Sequence, residues 1–186
     1  MRIISGKLKG KKINPPKDKI TRPLRDLVKE SIFNVLEHSN KFWINLEKSV
    51  ILDLFSGSGS FGLEAISRGA KKCFFIEQYT GVTGVLNTNI KNLKCNSNCF
   101  VSNSDCFKYI ENLNDNEFKF DIIFLDPPYK EKKINYLIDK ILEKKILNKN
   151  GIIIIHRHKK DDIKLTEKLN ILDLRIYGIS KITFAC

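Results

Sequence analysis

Short apolar runs alternate with amphipathic stretches along most of the chain. Mostly apolar runs occupy residues 50–54, 73–76, 99–101, 121–125 and 151–155. Runs of this length are typical of parallel strands that are buried on both faces of a sheet. Helical spacing marks the segments that follow the first four runs, at residues 60–68, 79–93, 105–113 and 133–146. The repeated pattern predicts an α/β protein with an open, mostly parallel sheet covered by helices on both faces.

The two ends of the chain depart from this repeat. Residues 171–176 and 181–185 flank Tyr177-Gly178 and predict two closing strands that form a hairpin. Near the start, apolar residues between Gly6 and Gly10 and on either side of them predict a small β-hairpin that ends at Pro15-Pro16. Isolated hairpins are marginally stable, so a disordered arm is the alternative.

A helix is predicted over residues 21–38, after this hairpin. Six apolar residues recur there at helical spacing and form one stripe: Leu24, Leu27, Val28, Ile32, Val35 and Leu36. Such a stripe indicates that the helix is docked on the rest of the protein. We therefore predict an N-terminal extension of hairpin and helix over residues 1–40 and a main domain over residues 41–186.

Positive charge is concentrated in the N-terminal extension. The 186 residues include 33 Lys and Arg against 21 Asp and Glu, a net charge of +12. The first 29 residues hold ten Lys or Arg against two Asp, so +8 of this excess lies in less than a sixth of the chain. Such a concentration indicates a polyanionic partner, either nucleic acid or an anionic membrane surface. Any one of these cations could instead belong to an ordinary solvated face.

Composition also bears on the class of protein. No apolar run approaches the roughly 20 residues of a membrane span, and the N-terminus does not resemble a secretory signal, so we expect a cytoplasmic protein. Five cysteines without a C-x-x-C pair favour reduced thiols, of which Cys73 and Cys106 are expected to be buried. Cys95-x-x-x-Cys99 would supply only half of a metal site, so no metal is expected.

Acidic residues follow or end four of the predicted strands. Ligands of open α/β sheets bind outside the carboxyl ends of the strands, where this chain places Asp53, Glu77, Asp105 and Asp126. Three glycines follow Asp53, and glycine allows the backbone to approach a nucleotide-like ligand closely. We therefore expect the functional site at this edge of the sheet.

The glycine-rich loop by itself leaves two cofactors open. Its spacing Gly57-x-Gly59-x-x-Gly62 fits the dinucleotide fingerprint, and Glu77 lies where an acid would meet a ribose hydroxyl. A plain turn that packs a helix on a strand is also possible. However, the carboxylate of Asp53 would repel a pyrophosphate. The acids suit a ligand with an ammonium group, a ribose diol and an amino-substituted base better than a nicotinamide dinucleotide.

The segment Asp126-Pro127-Pro128-Tyr129 indicates the class of reaction. Two prolines fix the backbone and withhold donors, which leaves the Asp126 carboxylate and the Pro127 carbonyl as acceptors without a neighbouring donor. Tyr129 offers a flat face on which a base can stack. Two acceptors that grip an exocyclic amine would hold its nitrogen toward an electrophilic methyl group. The segment therefore predicts methylation of a base amine, and a Pro-Pro turn without chemistry is the alternative.

Several segments resemble known proteins. Asp53-Leu-Phe-Ser-Gly57-Ser-Gly59 with Asp126-Pro-Pro-Tyr129 resembles the class I S-adenosylmethionine-dependent amino-methyltransferases. Four further segments are similar to the bacterial small-subunit (16S) ribosomal RNA guanine-N2 methyltransferase family: R-I-I-S-G-K-L-K-G-K-K-I, T-R-P-L-R-D-L-V-K-E-S-I-F-N-V-L, L-E-A-I-S-R-G-A and Tyr177-Gly178. The resemblance covers nearly the whole chain. It implies a Rossmann-like class I methyltransferase fold, with a mostly parallel seven-stranded sheet and an antiparallel closing strand.

The resemblance also implies roles for individual residues. S-adenosylmethionine would be held by Asp53, Phe55, Ser56, Gly57, Gly59, Glu77, Gln78, Asp105 and Cys106. The target guanine would be held by Asp126, Pro127, Pro128 and Tyr129. RNA would be gripped by Lys7, Lys9, Lys11, Arg22, Arg25 and Lys29. The partner would be small-subunit ribosomal RNA in an assembling 30S particle, bound by a monomer without a metal ion.

The chain departs from the family pattern at two places. Gln78-Tyr79-Thr80 follows Glu77 where the family usually has an acidic or polar residue, which leaves the adenine side of the pocket open. His156-Arg157-His158 stands after the fifth predicted strand, where a glutamate is common. These histidines could approach the site, but we interpret them as solvent-exposed residues of a basic loop and assign them no catalytic role.

The resulting hypothesis is methyl transfer to the N2 amine of a guanine in 16S ribosomal RNA. The Asp-Pro-Pro-Tyr motif would serve the N6 amine of DNA adenine, or another amine, equally well. An alternative from another class is a non-catalytic RNA-binding factor for ribosome assembly with a vestigial pocket. The preference for RNA or DNA separates the first two, and cofactor binding separates both from the third.

Overall fold

A single seven-stranded sheet organises the protein. The computed structural model describes residues 1–16, 24–114 and 118–186. Within these residues the strands are β1 Val50–Leu54, β2 Lys72–Ile76, β3 Cys99–Ser102, β4 Phe120–Leu125, β5 Leu147–His158, β6 Ile171–Tyr177 and β7 Ser180–Ala185. Their order in the sheet is β3-β2-β1-β4-β5-β7-β6. The first five strands are parallel, whereas β7 runs antiparallel to both β5 and β6. The predicted sheet, with its antiparallel closing strand, is confirmed.

Five α-helices of the described residues connect or flank these strands. They are α1 Asp26–His38, α2 Ser60–Ser67, α3 Thr80–Asn92, α4 Cys106–Asn112 and α5 Ile134–Glu143. Each lies within a segment that helical spacing predicted. Helix α2 begins directly after the glycine loop, and α4 begins after Asp105, whose carboxylate caps its first turn.

Hydrophobic clusters cover both faces of the sheet, as parallel strands require. One cluster joins α1, α2 and α3 to the sheet, and within it the rings of Phe61 and Phe124 stack with centroids 3.9 Å apart. The other joins α4 and α5 to the opposite face. Ile3 and Ile13 of the N-terminal extension belong to the first cluster. Residues on both sides of the predicted boundary at residue 40 therefore belong to one hydrophobic core. The division into two domains stays a prediction.

The N-terminal hairpin is present in a minimal form. Arg2 and Lys12 form one antiparallel bridge, and the amide of Ile3 donates to the Lys11 carbonyl at 2.9 Å. Side chains of α2 fasten the arm to the domain, because the Glu64 carboxylate accepts from the amides of Ile4 and Ser5 at 2.8 and 2.9 Å. The first 16 residues are thus an ordered structure, not a disordered arm.

The buried side of α1 differs from the predicted stripe at two residues. Leu27, which was assigned to the stripe, is 68% exposed. Lys29, for which the sequence predicts contact with RNA, is fully buried. Val28, Ile32 and Leu36 are buried as predicted. The buried face of α1 therefore includes Lys29 and excludes Leu27, in contrast to the hydrophobic pattern.

Strand β5 is longer than predicted. The apolar run ends at residue 155, but the strand continues through His158 because β7 pairs with it there. The register places His156 opposite Ile182 and His158 opposite Ser180. Among the described residues, no helix combines the length and the apolar character needed to cross a bilayer.

Candidate active site

A cavity of about 910 Å³ lies at the carboxyl ends of the central parallel strands. Its walls come from the glycine loop after β1, the residues after β2, the segment after β4, and parts of β5 and β7. Asp53, Glu77 and Asp126 all line it. The edge of the sheet that the sequence predicted for the site is therefore where the cavity lies.

Asp53 is buried beside this cavity, within strand β1. Its Oδ2 atom accepts a hydrogen bond from the Gly62 amide at 3.0 Å. Burial raises the pKa of the Asp53 carboxyl well above its usual value, the Gly62 hydrogen bond opposes this rise, and the nearby carboxylates of Asp126 and Glu77 add to it. A cation bound in the cavity would relieve the repulsion among these three acids.

The glycine loop turns through left-handed backbone conformations. Phe55, Gly57 and Gly59 have φ angles of 60°, 54° and 85°. A Cβ atom on Gly59 would lie 2.4 Å from Cδ1 of Leu86, so packing as well as conformation requires glycine there. The strained φ of Phe55 costs on the order of 1–3 kcal/mol, and such strain is often concentrated at binding sites.

Glu77 ties the glycine loop to the end of β2. Its Oε2 atom accepts from the Gly57 amide, and its Oε1 atom accepts from the Tyr79 amide, both at 2.9 Å. Each carboxylate oxygen can accept a further hydrogen bond. Phe55, Ser56 and Gln78 join Glu77 in the cavity wall, and their assignment to the cofactor stays a prediction.

Asp105 and Cys106 do not line the cavity that the structure describes. Oδ1 of Asp105 accepts from the amides of Phe107 and Lys108, both at 3.0 Å, and so caps helix α4. Cys106 is buried, which raises the pKa of its thiol, and its sulfur lies 4.0 Å from the Ile76 carbonyl oxygen. Both residues therefore make contacts that stabilise the fold, and their assignment to S-adenosylmethionine stays a prediction.

Asp126 has a close polar neighbour in His156. Nδ1 of His156 lies 2.8 Å from Oδ1 of Asp126, and Nε2 of His156 lies 2.9 Å from the Ser180 hydroxyl. His156 is only 8% exposed. The expectation that Asp126 lacks a neighbouring donor was wrong, and so was the placement of His156 in an exposed loop. The cause in both cases is the extension of β5 along β7.

Arg157 binds the backbone of the Asp-Pro-Pro-Tyr segment. Its guanidinium donates to the carbonyls of Pro128, Tyr129 and Glu131 at 3.1, 3.2 and 3.2 Å. Nε of Arg157 also pairs with Asp161. The side chain is 4% exposed, so this residue is a buried clamp and not part of a basic surface loop. The sequence would have indicated these contacts of Arg157 only if it had predicted that β5 continues to residue 158.

Tyr129 stands at the rim of the cavity. The residue is 39% exposed, and its ring meets the His158 ring edge to face with centroids 5.4 Å apart. Pro127 and Pro128 line the cavity beside it. An aromatic face at the mouth of a cavity is a suitable surface for stacking a base.

Apart from Lys29, the predicted RNA-contacting residues fall into three groups. Lys7, Lys9 and Lys11 are exposed on the arm. Arg25 is exposed and lines the cavity, together with Lys130, which the sequence analysis did not single out. Arg22 lies outside the described residues.

Lys29 was wrongly predicted to contact RNA. Its ammonium nitrogen lies 3.3 Å from Oε2 of Glu64 and donates to the Arg2 carbonyl at 2.8 Å. Burial lowers the pKa of Lys29, although the Glu64 carboxylate opposes that shift. A cation enclosed in this way has no surface to offer to a nucleic acid.

The tip of the arm lies away from the cavity. The Lys7 amide donates to the carbonyl of Ser67, the last residue of α2, at 2.7 Å. The cavity lies at Ser60, the first residue of α2, roughly 10 Å away along the helix axis. The arm at Lys7 therefore lies away from the cavity, and the assignment of Lys7, Lys9 and Lys11 to RNA stays a prediction.

Comparison with known proteins finds relatives that align with most of the chain. The family model described as conserved hypothetical protein 95 matches residues 1–186. Ribosomal RNA small subunit methyltransferase D of Haemophilus influenzae is 33% identical over 182 residues, which cover 96% of this chain and 90% of that protein. The protein of the same name from Buchnera aphidicola subsp. Acyrthosiphon pisum is 34% identical over 161 residues, 87% of this chain and 80% of that one.

Solved structures support the same grouping. A structure from Escherichia coli that carries a methyltransferase name aligns with a TM-score of 0.82 and 26% identity, over 100% of this chain and 96% of that one. An RNA methyltransferase from Salinibacter ruber in complex with S-adenosyl-L-homocysteine shares the fold, with a TM-score of 0.64 and 14% identity over 88% and 92% of the two chains. These matches confirm the class I methyltransferase fold and show that the chain belongs to the conserved hypothetical protein 95 family, the bacterial 16S ribosomal RNA guanine-N2 methyltransferases.

Proposed function

We propose that this protein transfers a methyl group from S-adenosylmethionine to the N2 amine of a guanine in small-subunit ribosomal RNA. The observation that carries the proposal is that Asp126 and Tyr129 line the same cavity as Asp53, Glu77 and the glycine loop. A cofactor and a base can therefore meet in one enclosed space. The family of the chain supports the same activity.

The cavity fits S-adenosylmethionine by charge. Its buried acid, Asp53, with Glu77 nearby, suits a ligand that carries an ammonium group and a ribose diol. Phe55, Ser56 and Gly57 would lie along the methionine part. When bound, the cofactor supplies a methyl carbon on a positively charged sulfur, and the electron pair of the carbon–sulfur bond stays on sulfur as the new carbon–nitrogen bond forms.

The residues after β4 would prepare the nucleophile. A guanine amine is a weak nucleophile because its lone pair is delocalised into the ring. The Asp126 carboxylate and the Pro127 carbonyl would accept its two hydrogens and orient the nitrogen, while Tyr129 stacks on the base. Positive charge then develops on the nitrogen, where the Asp126 carboxylate stabilises it and is the neighbouring acceptor for the proton that leaves.

The RNA would run from the cavity mouth along the N-terminal extension. Arg25 and Lys130 would contact the phosphates next to the target nucleotide, and the arm lysines would contact RNA farther away. The substrate would be an assembling 30S particle. A monomer would be the working form, because one chain carries both the cavity and the basic arm.

A methyl-transfer assay tests the proposal. The full chain is incubated with methyl-labelled S-adenosylmethionine and 30S subunits that lack base methylation, with DNA in a parallel reaction, and the labelled nucleoside is identified. We expect N2-methylguanosine from the subunits, and a loss of at least about 100-fold in the rate with Asp126→Ala. Label in the N6 position of DNA adenine, or equal rates for wild type and Asp126→Ala, would contradict it.

Cofactor binding provides the second arm of this experiment. Calorimetric titration with S-adenosylmethionine should show binding to wild type and to Asp126→Ala alike, because the Asp126 carboxylate is assigned to the base. Absence of binding to the wild type would support the non-catalytic assembly factor instead.

A further inference from the structure

His156 lies in a buried hydrogen-bonded chain behind the proposed amine-binding carboxylate. One ring nitrogen is 2.8 Å from Oδ1 of Asp126 and the other is 2.9 Å from the hydroxyl of Ser180. His156 and Ser180 are 8% and 4% exposed, and both line the cavity. The chain of contacts runs from β4 across β5 to β7, three neighbouring strands of the sheet.

The hydrogen-bonding capacities of the three groups set the direction of this chain. An ionised carboxylate can only accept, so Nδ1 of His156 must carry the hydrogen that it shares with Asp126. In a neutral imidazole the other nitrogen, Nε2, is then an acceptor, and the Ser180 hydroxyl can donate to it. The Asp126 carboxylate therefore fixes the tautomer of His156, and the Ser180 hydroxyl, which can donate or accept, is compatible with that tautomer.

We propose that His156 is a positioning residue for methyl transfer, which holds the Asp126 carboxylate by its Oδ1 atom so that Oδ2 accepts from the substrate amine. The inference rests on the proposed function of Asp126. Oriented donors behind a reacting carboxylate act as the residues behind a metal ligand do, where their loss typically costs 10- to 100-fold. Ser180 supports this role by holding the other side of the imidazole ring through its contact with Nε2.

Two adjacent residues of β5 therefore hold the Asp-Pro-Pro-Tyr segment, one through its backbone and the other through a side chain. Arg157 binds the backbone carbonyls of Pro128, Tyr129 and Glu131, whereas His156 binds the Asp126 side chain. Successive residues of a strand point to opposite faces of the sheet, which allows this division. Loss of the His156 side chain should leave the backbone conformation of the Asp-Pro-Pro-Tyr segment intact. Only the Asp126 carboxylate should become free to move.

Substitutions of His156 test the inference by separating turnover from binding. His156→Leu removes both hydrogen bonds, and we expect kcat to fall about 30- to 100-fold while KM for RNA changes less than about threefold. His156→Asn places an amide N–H at the same bond distance from Cβ as Nδ1, and should keep kcat within about fivefold of wild type. His156→Gln places its amide nearer the Nε2 position, and should fall well below His156→Asn.

Two further variants complete the set. Ser180→Ala keeps the contact between His156 and Asp126 but removes the partner of Nε2 that holds the ring, and should lower kcat about 3- to 10-fold. His38→Leu, at an exposed site on α1, is the matched control and should change neither constant. Cofactor affinity, measured by calorimetry, should stay within about threefold of wild type in all variants.

The outcomes separate this inference from the proposed function. If wild type transfers no methyl group to 30S subunits, the proposed function fails. If wild type is active and His156→Leu matches it, or Asn restores no more activity than Gln, the positioning role is wrong. The comparison of Asn with Gln decides the question even if the leucine variant fails to fold.

Discussion

The ammonium nitrogen of Lys29 lies 3.3 Å from Oε2 of Glu64, with both side chains fully buried. This ion pair joins α1 to α2, the helix that begins at the glycine loop. The same carboxylate accepts from the amides of Ile4 and Ser5 and pairs with Arg68. The basic arm, the first helix and the cofactor loop are thus held together through one glutamate.

The two partners of this pair should not be equally sensitive to substitution. Glu64 keeps Arg68 as a second cation when Lys29 is lost, whereas the buried Lys29 depends mainly on Glu64 for its countercharge. We expect Glu64→Gln to cost about 3 kcal/mol and Lys29→Met to cost about half as much. Urea denaturation of both variants and of the double variant measures the costs, and a double variant as unstable as the sum of the two would show that the pair is not coupled.

Arg157→Leu should release the segment that carries Asp126. Three partly buried carbonyls and the Asp161 carboxylate would lose their donor, and we expect a loss of about 3 kcal/mol in stability. Turnover should fall more than cofactor affinity, because the clamp contacts the base-binding side of the cavity. Urea denaturation and the methyl-transfer assay check this, with Arg175→Leu, at a 49% exposed side chain of β6, as the control. Equal stability of the two variants would contradict the clamp.

Replacement of the arm lysines should weaken RNA binding without changing turnover. With Lys7, Lys9 and Lys11 all changed to Gln, the slope of log affinity against log salt should become less steep by about 2. The value of kcat at saturating RNA should stay within about twofold, because the tip of the arm lies away from the cavity.

A matched triple variant serves as the control for this effect. Lys48, Lys71 and Lys149 are exposed near the starts of β1, β2 and β5, at the opposite edge of the sheet. Changing them to Gln removes the same charge and should leave the salt slope unchanged. A similar change of slope in both variants would point to net charge and not to a specific surface.

Asp53 should make the protein less stable as the pH rises. Burial raises the pKa of this carboxyl above its usual value of 3.8, so the folded state holds a proton that the unfolded chain has released. The free energy of unfolding contributed by this group therefore falls between about pH 4 and the raised pKa. Asp53→Asn removes the titration, and its stability relative to wild type should increase with pH across that window. Urea denaturation at several pH values measures it, and a constant difference would contradict the assignment.

The sequence alone was sufficient to identify which strands carry the acidic site residues at their ends. It also predicted the edge of the sheet where these residues lie. Apolar runs and helical spacing are local signals, so they located nearly every strand and helix of the described residues, and the rule on strand ends located Asp53, Glu77 and Asp126. The glycines after Asp53 and the prolines after Asp126 constrain the backbone locally, so their meaning was also readable from neighbouring residues.

Only the tertiary structure decided which polar side chains are buried and what they contact. His156 meets Asp126 across 30 residues of sequence, and Lys29 meets Glu64 across 35. Arg157 became a clamp because pairing with β7 extends β5 beyond its apolar run. Hydrophobic periodicity assigns polar residues to the surface by default, and a buried polar group is stable only through partners that distant segments supply. No local pattern contains those partners.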